Sequence, residues 1–203
     1  DLYCEPKAVY ETLQVMNTLQ PGLCVLGTRL PGCFNVFEMS VRAVLGQQIT
    51  VKAASTLAAR LVAVYGTQVQ TGIEGLTHSF PAPAAILALG ENISEHLGKL
   101  GIISARANTI YQLARVLADE KNDFGFCGNP EEEMQKLQAI RGIGSWTAQY
   151  IAMRAMGWPD AFLPTDAGIK KALPDHTPKE LQVLSEAWRP WRSYATVNLW
   201  NTL

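Results

Sequence analysis

The chain has 203 residues, 48% of them apolar and 17% charged, a balance that excludes disorder and allows a real core in one large or two small domains. Its net charge is −1 and its pI about 6.3, so composition speaks against a nucleic-acid partner without excluding one, since backbone N–H groups and helix ends can also take phosphates. No apolar run reaches the length of a membrane span, and no signal-peptide pattern opens the chain.

In chain order, residues 5–19 place Val9, Leu13, Met16 and Leu19 at helical spacing, and Gln20-Pro21-Gly22 ends that helix. The Gly- and Pro-rich stretch LCVLGTRLPGCFN reads as an ordered connection. A helix over 36–45 has Val36, Phe37, Val41, Val44 and Leu45 on its apolar face and breaks at Gly46-Gln47-Gln48. Thr50 is the expected N-cap of the next helix and Gly66 its C-cap. Residues 67–83 form a loop, followed by short helices over 83–89 and 93–100, the second closed by Gly101. Ser104 is expected to cap ARANTIYQLARVLAD, and 121–130 is a polar loop. Pro130-Glu131-Glu132-Glu133 opens a helix to about residue 140, with proline in the first turn and acids at the positive dipole end.

The last third contains helices over 145–156, 166–171, 178–188 and 190–203, with a stop at Gly157-Trp158-Pro159. No period-2 strand of useful length and no fixed repeat occurs, so the fold class is all-α, built of many short helices. The four cysteines, Cys4, Cys24, Cys33 and Cys127, lack C-x-x-C spacing and flanking histidines. They read as thiols of a cytosolic protein rather than a metal or iron–sulfur site. The histidines His78, His96 and His176 are scattered and carry no assigned role.

Two features organise the chain. The first is L-x-x-I-x-G-I-G-x-x-T-A, a helix-hairpin-helix pattern in which Gly142 and Gly144 permit a sharp reversal and leave the backbone bare. The N–H groups of the following helix then offer an anion site that needs no basic side chain, and a DNA phosphate fits it. Carbonyls on the other side of the turn can hold a monovalent cation that neutralises the same phosphate. A purely steric interhelical turn would use the same glycines, but the apolar frame of Leu137, Ile140, Ile143 and Ala148, with Thr147, favours DNA backbone binding.

The second is Asp166, after the stiff approach Phe162-Leu163-Pro164-Thr165. It is placed to N-cap the helix that follows. A fixed carboxylate there can also stabilise the oxocarbenium-like state formed when an N-glycosidic bond breaks, and can orient or deprotonate a water. One acid suffices when the leaving base is electron-poor, as an alkylated purine is.

Hairpin, Gly/Pro-rich loop and then aspartate resembles the helix-hairpin-helix/GPD DNA glycosylases, from about Leu30 to the end. RLPGCFNVFEMSVRAVLGQQIT, FLPTD-x-x-I-K and WRPWRSYATVNLW resemble the bacterial 3-methyladenine DNA glycosylase II group in particular. The resemblance implies two helical subdomains flanking a substrate cleft. Residues 1–29 would be an N-terminal junction segment, 30–130 a first subdomain and 131–203 the catalytic region, the two subdomains interleaved.

By the same resemblance Asp166 is the catalytic aspartate. The amides of Gly142, Gly144 and Thr147 contact phosphate, and the carbonyls of Gln138, Ile140 and Ile143 hold a structural Na+ or K+, with no other cofactor required. Trp146 stands where bifunctional relatives carry a Schiff-base lysine, which implies a monofunctional enzyme that uses water. Trp146, Tyr150 and Trp200 match the aromatic wall of the base pocket, where cation–π attraction of about 1–2 kcal/mol favours a cationic alkylated base. Their alternative is ordinary core packing. Gln48 matches the wedge that fills the gap left by a flipped base, with a solvent-exposed or capping glutamine as the alternative.

The implied partner is double-stranded DNA with a damaged base, bound by a monomer in the bacterial cytoplasm and associated with the nucleoid. Several positions depart from the group. Gln48 replaces a large apolar wedge, Arg141 replaces the proline before G-x-G, and Ala167 follows the aspartate where some relatives have an aromatic. The group's small N-terminal sheet domain is missing, so with Asp1 as its first residue the chain is expected to be a piece of a longer protein, such domains also occurring fused to alkylation-response regulators. Two other readings stay open: a non-catalytic helix-hairpin-helix DNA-binding module, and a glycosylase for uracil or hypoxanthine.

Overall fold

In the computed structural model, residues 4–118 and 129–203 are described. They form two compact units, one of residues 1–34 with 148–203 and the other of residues 35–147. These limits differ from the sequence division at 29/30 and 130/131. Contacts between distant stretches, not chain order, define a compact unit.

In the second unit, α2 (Val36–Leu45) starts where the Asn35 side chain accepts a hydrogen bond from the Glu38 amide, and it buries Phe37, Val41, Val44 and Leu45. Here α1 denotes Pro6–Leu13 of the other unit. Thr50 caps α3 (Val51–Tyr65) by accepting from the Ala53 amide, as the sequence indicates. Gly66 ends α3 in an extended conformation, not a left-handed cap. Its constraint is steric: an added Cβ would lie 2.4 Å from both Ser79 O and Val62 O. That close approach lets β1 (Thr67–Gln68) pair antiparallel with β2 (His78–Ser79). Among the described residues this two-residue ladder is the only sheet.

The short helices α4 (Pro83–Leu87) and α5 (Ile93–Gly98) pack on α6 (Ser104–Leu117), which also packs on α2. Ile86, Leu97, Ile102, Ile110 and Leu113 are completely buried, which puts the core of this unit around α6. Ser104 is the first residue of α6 and not its cap; Ile103 occupies that position, without a side-chain hydrogen bond. Asn129 caps α7 (Pro130–Gln138) at the end of the expected polar loop, the rest of which lies outside the described residues.

In the other unit, α1 runs into a 3₁₀ turn, Gln14–Thr18. After α8 (Ser145–Arg154) come α9 (Ala167–Ala172) and α10 (Pro178–Leu184), then a 3₁₀ turn, Ser185–Trp188, and α11 (Arg192–Trp200). The last helix therefore starts two residues later than the expected 190. Every residue of α11 from Arg192 to Leu199 is buried. Its polar members are all matched. Asn198 Oδ1 accepts from Val25 N at 3.1 Å and Thr28 Oγ1 at 2.8 Å. Ser193 Oγ donates to Trp158 O at 2.7 Å. Arg192 holds Asp160 through Nε to Oδ1 at 2.7 Å and Nη2 to Oδ2 at 3.0 Å, and its Nη2 also reaches Asp160 O at 2.9 Å. Both are buried, and a buried charge is tolerable only with partners of this kind.

Replacing Arg192 with Met strips Asp160 of its bidentate partner and leaves Arg189 as the remaining one. A loss of about 3 kcal/mol is expected, since breaking a buried pair from one side costs on that order. Urea unfolding of the two proteins at pH 7 measures it.

Candidate active site

Asp166 opens α9, and it sits there because three N–H groups converge on one oxygen. Oδ1 accepts from the Gly168 amide at 2.8 Å, the Ile169 amide at 3.1 Å and the Trp200 indole Nε1 at 2.8 Å. Two of these donors are helix-end amides that would otherwise lack partners. The third belongs to the far end of α11. Capping and a site role are therefore compatible: the cap fixes the carboxyl group that the site would use. The approach is rigid. Ala161, Phe162 and Leu163 are buried, and the amides of Ala161 and Phe162 donate to Ser193 Oγ at 3.1 Å and Gln149 Oε1 at 3.3 Å. Asp166 is itself 9% exposed.

Trp200 reaches Asp166 because position 168 has no side chain. A Cβ at Gly168 would lie 2.7 Å from Trp200 Cδ1, 2.9 Å from its Nε1 and 3.0 Å from Asp166 Oδ1. Tyr150 completes the group, its ring 6.3 Å from that of Trp200 and tilted by 45°. The Arg154 guanidinium stands 5.8 Å from the Tyr150 ring, and its Nε is buried without a hydrogen-bond partner. Of the expected aromatic set, the structure thus brings Trp200 to Asp166 and Tyr150 to Trp200. Trp146 lies one helical turn before Tyr150 on α8, half-buried.

The hairpin joins α7 to α8. Ile140 N donates to Leu137 O and Ile143 N to Ile140 O, both at 3.0 Å, which tightens the turn. Gly142 has φ +95°, and a Cβ there would lie 2.1 Å from Thr109 Oγ1, so glycine is required twice over. Gly144 is different: a Cβ would meet nothing within 4 Å, so contacts within the chain do not demand a glycine. Arg141 O accepts from Thr109 Oγ1 at 3.0 Å. Gln47 Nε2 donates to both Gly142 O and Thr147 Oγ1, each at 2.9 Å. Gln48, the next residue, is exposed with φ +55°.

Among the described residues, no group of three His, Cys, Asp or Glu side chains could hold a metal ion. Gln138 closes α7, and the Ile140 carbonyl has one lone pair engaged by Ile143, leaving capacity for a second contact.

Sequence reasoning missed Gly168, Gln47 and Thr109. The Gln47-Gln48 pair was visible, but no local pattern shows which of two adjacent glutamines points to the hairpin. Gly168 carries no chemistry of its own and becomes legible only once Trp200 lies against it.

Gly168→Ala should push the indole off Asp166. The expected result is loss of the downfield-shifted Trp200 Nε1–H resonance in a ¹H–¹⁵N spectrum, with the other tryptophan signals unmoved. An unshifted resonance would mean that the notch does not set the indole's position.

The sequence matches the HhH-GPD superfamily base excision DNA repair protein over residues 41–192. It is 37% identical over 202 residues to DNA-3-methyladenine glycosylase 2 of Escherichia coli (strain K12), covering 100% of this chain and 68% of that protein. It is 40% identical over 209 residues to the probable bifunctional transcriptional activator/DNA repair enzyme AlkA of Mycobacterium tuberculosis (strain ATCC 25618 / H37Rv), covering 100% of this chain and 41% of that protein. The chain thus spans about two thirds of the first relative and less than half of the second. Among solved structures, the 3-methyladenine DNA-glycosylase from Archaeoglobus fulgidus superposes with a TM-score of 0.79 at 24% identity, over 97% of this chain and 68% of that one. The Clostridium acetobutylicum 8-oxoguanine glycosylase/lyase in complex with double-stranded DNA gives 0.80 at 18% identity, over 100% and 71%. At such identities these likenesses speak to the fold, which is the all-α architecture expected. The chain belongs to the HhH-GPD superfamily of base excision DNA repair proteins.

Proposed function

We propose that the protein is a monofunctional DNA glycosylase that removes alkylated bases, 3-methyladenine and related, from duplex DNA. The observation that carries this reading is Asp166, a nearly buried carboxylate aligned by three donors, one of them the indole of Trp200, against which Tyr150 lies. A module that only bound DNA would need the hairpin and not this group. Relatives at 37% and 40% identity whose names carry alkylated-base glycosylase or DNA repair activity support it.

In the reaction, the C1′–N bond breaks and its electron pair leaves with the base, which departs neutral if it was a cationic N-alkylpurine. Positive charge grows on the sugar, and the fixed Asp166 carboxylate stabilises it without reorganising. Water forms the new C1′–O bond, and its proton passes to Asp166 or to solvent. Tyr150 and Trp200 stack the flipped base, and Trp146, four residues before Tyr150 on the same helix, extends that wall. The amides of Gly142, Gly144 and Thr147 take a phosphate, and the open space at Gly144 leaves room for it. The carbonyls of Gln138, Ile140 and Ile143 would hold Na+ or K+, whose charge offsets that phosphate. Gln48, exposed at the tip of its turn, is the wedge. The partner is duplex DNA, engaged by a monomer in the cytoplasm at the nucleoid. Among the described residues, no helix is long and apolar enough to cross a membrane.

One observation favours a second substrate class. The Arg154 guanidinium near the Tyr150 ring weakens that ring's pull on a cationic base, which fits a neutral base such as hypoxanthine.

The test is single-turnover base release from methylated duplex and from hypoxanthine-containing duplex. Asp166→Asn should slow release by about 10²–10³-fold, the usual cost of removing one group that stabilises transition-state charge, while duplex affinity stays within about twofold. Equal release by both proteins would reduce Asp166 to a cap. Release of hypoxanthine alone would select the second class. Separately, Gly142→Ala, which closes the hairpin's left-handed turn, should weaken duplex binding by about tenfold in a titration at fixed salt.

A further inference from the structure

Around α6, three links join the Gln48 turn to the glycine hairpin. Gln47 spends both N–H bonds of its side-chain amide on the hairpin side, one on Gly142 O and one on Thr147 Oγ1. Its main-chain carbonyl accepts a hydrogen bond from Arg106 Nη2, and its main-chain amide donates to Val44 O at 3.3 Å. Arg106 is on α6, and Thr109, three residues on and on the same face, donates to Arg141 O in the hairpin. The ring is closed: turn to hairpin through Gln47, hairpin to α6 through Thr109, α6 to turn through Arg106.

We infer that Gln47 is a positioning residue that couples the phosphate-binding hairpin to the wedge at Gln48. The inference rests on the function proposed above. Gln48 holds a left-handed conformation that a side chain adopts only when its neighbours impose it. Its immediate neighbour is the residue fixed by the hairpin and by Arg106. A phosphate seated on the hairpin amides would therefore fix Gln47, and through it the height and direction at which Gln48 enters the duplex. Without the Gln47 side chain, the hairpin still binds phosphate but no longer registers the wedge against it.

The experiment is a double-mutant cycle of Gln47→Met and Gln48→Ala, with two readouts. One is single-turnover base release from methylated duplex. The other is fluorescence of 2-aminopurine placed opposite a tetrahydrofuran abasic-site analogue, which reports gap filling without any chemistry. Each single variant should lose about tenfold in release, and the double also about tenfold rather than about 100-fold, because both remove the same step. The fluorescence change should be abolished in all three, with affinity for undamaged duplex held within about threefold. Multiplicative losses, or a wild-type fluorescence change in Gln47→Met, would overturn the inference. If Gln47→Met unfolds, Arg106→Met opens the ring from its other side and is held to the same two outcomes. A wild-type chain that releases no base but shows the Gln47-dependent fluorescence change would sink the glycosylase reading and leave this coupling standing. No fluorescence change in the wild type would sink the coupling.

Discussion

One oxygen atom carries the organisation of the carboxylate site. Asp166 Oδ1 closes the first turn of α9 and receives the indole of Trp200 at the end of α11. A carboxylate with three aimed donors does not swing, so its plane is set before any ligand arrives. Such preorganisation matters because a charge-stabilising group that must first reorient loses part of its effect. The cost of holding an acid in this position falls on the surrounding fold: a buried approach from Ala161 to Leu163, and a terminal helix buried from Arg192 to Leu199 with its polar atoms matched one by one.

The hairpin, where the phosphate contact is proposed, is built on a different principle. The anion site proposed there would use main-chain N–H groups and need no basic side chain, which would reconcile a net charge of −1 with membership of a DNA repair superfamily. Side chains from elsewhere in its unit also touch it. Thr109 fills the space that Gly142 vacates, and Gln47 takes the Gly142 carbonyl. The turn is thus shaped by packing against α6 as much as by its own glycines.

Much of this was legible in the sequence, and the limit of legibility has a physical form. Helices with local start signals were readable: Thr50 as a side-chain acceptor, proline and acids at the head of α7, Asp166 as a cap. Where the signal was ambiguous the reading slipped. Ser104 resembles a cap yet sits inside α6, and Gly66 resembles a C-cap yet serves a backbone contact 13 residues away at Ser79. At the site, residues with chemistry of their own could be named in advance, Asp166, Tyr150 and Trp200 among them. Those whose importance lies in a contact 32 to 95 residues distant, such as Thr109 to Arg141 and Gln47 to Gly142, could not. The compact units likewise rest on distant contacts, since residues 1–34 join 148–203 across more than half the chain.

The notch at Gly168 has a consequence for how the pocket can change over generations. Because the indole fills the place where any Cβ would go, position 168 is closed to all other residues while Trp200 keeps its contact. Its neighbour Ala167 is under no such constraint from this contact. In the proposed base pocket, variation should therefore accumulate at Ala167, Tyr150 and Arg154, while 168 and 200 change only together. A lineage that gains a side chain at 168 must re-seat its aromatic wall in the same step, and that makes the pair a ratchet between pocket designs.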